Sequence, residues 1–236
     1  MNRIDYTTCT TYSTAYRTLR GALLAACLAA ISVLGAAGSA SAMSLLISEV
    51  FYDAVGSDDG QSFVELSGTP GTILDGLVLE GINGSGGGVT VTIVLTGTVA
   101  PDGLFVIADV DTSGQTQVVN ADLLADFDFQ NGPDSIVLRD ALGVRDAVGY
   151  GVFDASLVFA GEGQPAVDPA AGSSLARAFA DVDTDDNAMD WIDLSIPTPG
   201  EAEFLVPEPP TGVLGLVAIA TLLCQARVRA AGQRRG

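Results

Sequence analysis

The chain has 236 residues, 48% of them hydrophobic, and carries 29 acidic against ten basic side chains for a net charge of −19 at pH 7. All ten basic residues are arginine, histidine and lysine are absent, and the three cysteines are Cys9, Cys27 and Cys224. Those absences exclude Ser-His-Asp and Cys-His catalysis and the Walker A lysine, and the charge repels phosphate backbones, so no nucleic-acid partner is expected.

Arg3, Arg17 and Arg20 precede a continuous apolar run from Ala22 to Ala37, and Ala40-Ser41-Ala42 places small residues at cleavage spacing. A charged lead, a hydrophobic core and an A-x-A-like site are the three parts of a secretory signal peptide. The signal is expected as an N-terminal helix within residues 1–42, with cleavage between Ala42 and Met43. The competing reading is an N-terminal anchor, but the run is shorter than the roughly 20 residues that span hydrocarbon. The exported domain, 43–200, then contains no cysteine and forms no disulfide in an oxidising compartment, so its core must hold it alone. Residues 43–205 keep 27 acids (the 29 less Asp5 and Glu208) against Arg139, Arg145 and Arg177, a charge near −24. Such a balance suits a solvated extracellular protein or one that collects divalent cations.

Within this domain the pattern is β almost throughout. Leu45 to Tyr52 opens it, followed by an acidic turn from Asp53 to Gly60. Ser62 to Leu66 is short and alternating, and Ile73 to Leu79 follows a Pro70-Gly71 turn. Val89 to Leu95 follows the glycine run Gly84 to Gly88, which reads as a hairpin loop rather than a phosphate loop because no helix comes after it. Leu104 to Ala108 comes after Pro101-Asp102-Gly103. Ala121 to Asp126 is the one stretch with helical character. Ser135 to Leu138 and Val144 to Tyr150 flank a turn at Ala141-Leu142-Gly143 and read as a hairpin. Gly161 to Gly172 is a Pro/Gly/Ala-rich surface loop, and Ser195 to Glu203 an exit segment. There is no internal repeat. Short β runs punctuated by Gly, Pro and Asp predict an all-β sandwich or barrel.

Two acidic loops and two glutamates stand out. In Asp181-Val182-Asp183-Thr184-Asp185-Asp186-Asn187, alternating Asp181, Asp183 and Asp185 converge oxygens on one point, as hard Ca²⁺ requires. The loop departs from an EF-hand at Asp186, where glycine makes the turn, and at Ile192, where a bidentate glutamate belongs; Asp190 or Asp193 would have to complete it. The alternative is a solvated Asx turn, capped by Asp185 or Asn187, leading into the strand that carries Trp191. Asp53, Asp58 and Asp59 form the second, weaker cluster. Trp191, the one tryptophan, is expected as a core anchor. Glu49 and Glu65 sit inside apolar strands, each with a structural role or none. The many acids nominate no catalytic pair, since sequence spacing does not report a separation across a cleft.

The C-terminal segment places Val206-Pro207-Glu208-Pro209 in a linker, 201–210, before an apolar run from Thr211 to Cys224. That run is expected as a hydrophobic helix in a tail, 211–236, which closes with Arg227, Arg229, Arg234 and Arg235. This order of parts resembles the PEP-CTERM sorting signal of Gram-negative bacteria. The resemblance implies export and a partner of the exosortase type, a membrane transpeptidase that holds, clips and releases the protein to the surface. By the positive-inside rule the arginines stay cytoplasmic and the domain lies outside, with the inner membrane as a partner through the tail. A plain single-pass anchor is the alternative.

The domain itself resembles a bacterial lamin-tail domain over nearly its whole length. Ile47-Ser48-Glu49-Val50 and Phe63-Val64-Glu65-Leu66 resemble the first two strands. Leu74-Asp75-Gly76-Leu77-Val78-Leu79 is similar to the third, with Leu77 where a tryptophan is usual. Val99 to Asp109 resembles the turn and strand that follow, and Asn131 to Leu138 the next. Ser174-Leu175-Ala176-Arg177, Asp183 to Trp191 and Pro197-Thr198-Pro199-Gly200 resemble the closing signature. The resemblance implies an immunoglobulin-like β-sandwich serving as a binding or accessory module. The expectation is an exported, non-enzymatic surface or matrix protein with an extracellular polysaccharide or envelope protein as partner. The alternatives are a calcium-dependent binding module and an accessory domain of a separately encoded exported hydrolase.

Overall fold

The computed structural model describes residues 43–205. The signal segment with Ala40 and Ala42, the motif Val206-Pro207-Glu208-Pro209 and both expected terminal helices lie outside the described residues. Among the described residues no helix is long and apolar enough to cross a membrane.

Ala42–Val206 forms one compact unit, and its fold is all-β. In chain order the elements are β1 (Leu46–Phe51), β2 (Phe63–Ser67), β3 (Val78–Asn83), β4 (Val89–Val94), β5 (Leu104–Asp109), β6 (Leu123–Ala125), β7 (Asp134–Asp140), β8 (Gly143–Tyr150), β9 (Ser174–Arg177), a single helical turn α1 (Asn187–Asp190) and β10 (Trp191–Leu194). One sheet runs β10-β9-β1-β2-β5-β6 and the other β4-β3-β7-β8. All pairs are antiparallel except β5 with β6. The two sheets share one core, in which Ile47, Val64 and Ile107 of the first meet Leu79, Ile136 and Val148 of the second.

Strand alternation places most of these residues, and one irregularity places the rest. In β1 the register against β2 passes from Ile47↔Leu66 to Glu49↔Glu65, so Ser48 is an extra residue. This bulge turns both Ile47 and Val50 to the core and sets Glu49 beside Glu65 on the opposite face. The expected strand Ile73 to Leu79 is interrupted for a comparable reason. Gly76 adopts φ 90°, the Leu77 N–H bonds the Leu74 carbonyl, and Ile73 makes one isolated bridge to Thr98. The apolar run is therefore cut by a turn, and the strand proper starts at Val78. Ala121 to Asp126 is not helical; its centre is β6, which pairs with β5 through Leu123, Leu124 and Ala125. The hairpins at Gly84 to Gly88 and at Ala141 to Gly143 are where the turn residues put them.

Leu79 is fully buried at the middle of this core. Leu79→Ala is expected to lower unfolding stability by about 2–5 kcal/mol, the range for a leucine cavity in a close-packed interior, in a single urea transition. Two separated transitions would show that the sheets do not fold as one unit.

Candidate functional site

β9 ends in Arg177, whose side chain is wholly buried. Nε donates to the Ile47 carbonyl at 2.9 Å, Nη1 to the Val182 carbonyl and to Asp190 Oδ2, both at 3.0 Å, and Nη2 to Asp146 Oδ1 at 2.7 Å. Asp183 Oδ1 stands 3.4 Å from Nη1, and the guanidinium lies 5.0 Å from the Trp191 ring centroid. A rigid fork of donors suits this arrangement in a way that an ammonium would not. Asp146 belongs to β8, so the pair ties one sheet to the other, and its second oxygen accepts the Ile47 N–H at 2.5 Å. Asp190 holds the acidic loop through the Thr184 N–H and hydroxyl, both at 2.8 Å. Trp191 is 3% exposed and is the core anchor expected of it.

The aspartates of the loop diverge. Asp181 accepts the Leu205 N–H at 2.7 Å. Asp185 adopts φ 55° and donates its N–H to Asp183 Oδ1 at 3.1 Å. Asp183 instead joins Asp146 and Glu162, with one carboxylate oxygen from each lying within 4.8 Å of the others. The cap of the following turn is Asp186, which accepts the Ala188 N–H at 3.2 Å, rather than Asp185 or Asn187. Asn187 reaches sideways: Oδ1 accepts the Gly149 and Glu162 N–H groups and Nδ2 donates to the Ala147 carbonyl, all at 2.9 Å. Gly161 is required beside it, since a Cβ there would collide with Asn187 Oδ1.

Glu162 is the member that sequence reading passes over, being one acid in a Pro/Gly/Ala-rich loop. Its Oε2 is buried without a hydrogen-bond partner. Burial pushes its carboxyl up to about 8, with the charges of Asp146 and Asp183 adding to the rise and Arg177 opposing it. Burial also raises Asp146 to about 6 against the pull of Arg177. A proton or a cation would relieve the unpartnered oxygen.

A second pair of carboxylates sits on the other face of the six-stranded sheet. Glu49 accepts the Ser174 hydroxyl at 2.5 Å, the Thr198 N–H at 2.9 Å and the Thr198 hydroxyl at 2.8 Å. Glu65 accepts the Ser48 hydroxyl and the Gly200 N–H, both at 2.7 Å. Both glutamates therefore bind the segment that leaves the domain, which is fastened again where the Ala180 N–H meets the Glu203 carbonyl. Burial pushes Glu65 up to about 7, against its two hydrogen bonds, and raises Glu49 as well. Sheet and segment enclose a groove of about 570 Å³. Of the second acidic loop, Asp58 and Asp59 line a smaller cavity of about 270 Å³ with Asp109, Asp126 and Asp128. Asp109 is already engaged there by the Gly60 and Phe127 N–H groups.

Chemically, these carboxylates accept hydrogen bonds from the chain's own hydroxyl, backbone N–H and guanidinium donors. Comparison with known proteins finds no family model, no curated protein and no solved structure that matches the chain.

Two outcomes follow. Arg177→Met leaves Asp146 and Asp190 buried without their counter-charge, and a loss of about 3–5 kcal/mol is expected from urea melts. Arg145→Met, which removes an exposed pair with Asp140, should leave the midpoint nearly unchanged; equal effects would refute the distinction. Glu65 and Glu162 ionise later in the folded chain than at their ordinary value of 4.5. The native state thus binds more protons than the unfolded chain from about pH 4.5 to about pH 8, and stability falls as pH rises through that window. Glu162→Gln should flatten the upper part of the slope and Glu65→Gln the lower. A urea midpoint that climbs with pH across the window would contradict the assignment.

Proposed function

We propose that the protein is an exported, non-enzymatic surface or matrix protein: an immunoglobulin-like, lamin-tail-like sandwich carried to the envelope by exosortase-type sorting. The observation that carries this reading is the bracketing of one compact all-β unit by two apolar segments, one ending in Ala40-Ser41-Ala42 and the other preceded by Val206-Pro207-Glu208-Pro209. The site chemistry supports it. Residues 43–205 contain no histidine, lysine or cysteine, and the buried carboxylates Glu49 and Glu65 spend their lone pairs on the chain's own donors. The role is adhesive or structural, with an extracellular polysaccharide or an envelope protein as partner. The inner membrane holds the tail before processing. Mass spectrometry of the surface fraction is expected to find termini near Met43 and within Val206 to Pro209. Mature protein that keeps Arg227 to Arg235 would remove the sorting reading.

The unpartnered Glu162 oxygen favours a second reading, a calcium-stabilised form of the same module. Asp183 is then shared with Asp146 and Glu162 rather than with Asp181 and Asp185. A ligand that binds only the folded state must raise its melting temperature. A calcium-specific rise that Glu162→Gln abolishes and Asp181→Ala does not would place the ion there. Coincident melts with calcium, magnesium and chelator would leave Glu162 to a proton.

A further inference from the structure

The two sheets present four edges, β4, β8, β6 and β10. β6 has three residues and β10 four, too short to template much pairing. The outer side of β8 is occupied where it is buried. Asn187 takes the Gly149 N–H and the Ala147 carbonyl, and Ala166 bonds both Gly149 and Gly151. The open end of β8 carries the charge of Arg145.

β4 is different. It has six residues, its one neighbour is β3, and Val89 and Val94 are 53% and 64% exposed. The Leu95 N–H bonds back to the Leu77 carbonyl. By the two-residue alternation of an antiparallel ladder, Thr92 and Val94 therefore turn their N–H and C=O groups away from β3. Proteins defend such an edge with charge, proline or a bulge. Here the register shift between Gly81 and Ile82 leaves Thr90 as a bulge at the start of the strand, but β4 contains neither charge nor proline.

The neutrality reaches beyond the strand. Within residues 43–205, the stretch from Gly81 to Pro101 puts 21 residues in succession without a charged side chain, and the next longest such run there, Thr112 to Ala121, has ten. In a domain near −24, most contacts between copies set acid against acid. This strip is where two copies can meet without that repulsion. An anionic partner would find no cation on it, and a cationic one would be drawn to the acidic remainder of the surface. The edge therefore suits a chain of its own kind.

We propose that β4 is a self-association edge, to which a second copy of this protein adds its own β4 antiparallel about a two-fold axis. Thr92 and Val94 supply backbone donors and acceptors on both sides, and the same patch serves both copies, as an isologous contact requires. The two four-stranded sheets then form one continuous sheet. This inference is independent of the export reading, since it rests on the edge and its charge alone.

The test is sedimentation velocity of the full chain in neutral detergent over a wide range of concentration, for the wild type, Val94→Asp, Thr92→Pro and, as a control on β8, Val144→Asp. A dimer is expected for the wild type and for Val144→Asp, strengthened as salt screens the acids elsewhere on the surface. Val94→Asp places like charges on both sides of the seam, and Thr92→Pro removes an N–H that does not serve β3. Both should lose the dimer while keeping a wild-type melt. Monomer at every concentration would overturn the proposal and leave the edge to a different chain. Dimer that survives both β4 substitutions would overturn it too, placing association elsewhere.

Discussion

A single guanidinium sets the frame of this domain. Residues 43–205 contain three cations in all, and two of them, Arg139 and Arg145, lie exposed against Glu80 and Asp140. The third, Arg177, is fully buried and holds two strands, an inter-sheet carboxylate and the acidic loop at once. An ion pair in an apolar interior stabilises little over a hydrophobic substitute, yet removing one partner is severe, because the other charge is left buried. The arginine therefore defines the arrangement more than it strengthens it. Asp146 must face Ile47 across the sheets, Asp190 must stand at the end of α1, and Trp191 must lie beneath the guanidinium.

The same economy of cations explains the unusual state of Glu162. Four carboxylates, those of Asp146, Glu162, Asp183 and Asp190, crowd toward one positive charge. Asp146 and Asp190 take the short contacts and Asp183 a longer one. Glu162 gains no direct bond, and its burial then favours the neutral form, which is the ordinary response of an acid removed from water without a partner. Burial first, and the neighbouring charges of Asp146 and Asp183 after it, hold this carboxyl above its ordinary range.

Much of the fold was legible in the sequence, and the failures have physical causes. Alternation and turn residues located most of the strands, because a two-sheet core imposes its period wherever one face is wet. The signal failed at Ile73 to Leu79, where a glycine at positive φ cuts an apolar run that otherwise reads as one strand. It failed again at Ala121 to Asp126, because β6 is a three-residue edge whose pairing with β5 comes from tertiary contact rather than from pattern. The Asp loop was visible as a chemical feature, but its geometry was not. Spacing along the chain suggested that Asp181, Asp183 and Asp185 converge, whereas Asp183 meets residues that lie 37 and 21 positions upstream, at Asp146 and Glu162. Arg177 carried a usable hint, as one of three cations set among 27 acids in residues 43–205 and directly after Leu175-Ala176.

The acidity of the domain has a structural use beyond solvation. A domain without disulfides must fasten its loops by other means, and here carboxylates do so by accepting hydrogen bonds from backbone N–H groups. Asp134 holds the Gly84 N–H at the β3–β4 hairpin, Asp109 holds Gly60 and Phe127, and Asp122 holds Val106. Asp111 and Asp154 each close a short turn on a serine two residues on, and those hydrogen bonds lower both carboxyls below their ordinary value. On the outer face, Glu49 and Glu65 do the same for the departing chain, so that the segment up to Leu205 is part of the fold and not a loose tether. Charge that would otherwise swell the domain by self-repulsion is thus anchored at turns and strand ends, each acid offset by backbone N–H groups instead of by a cation.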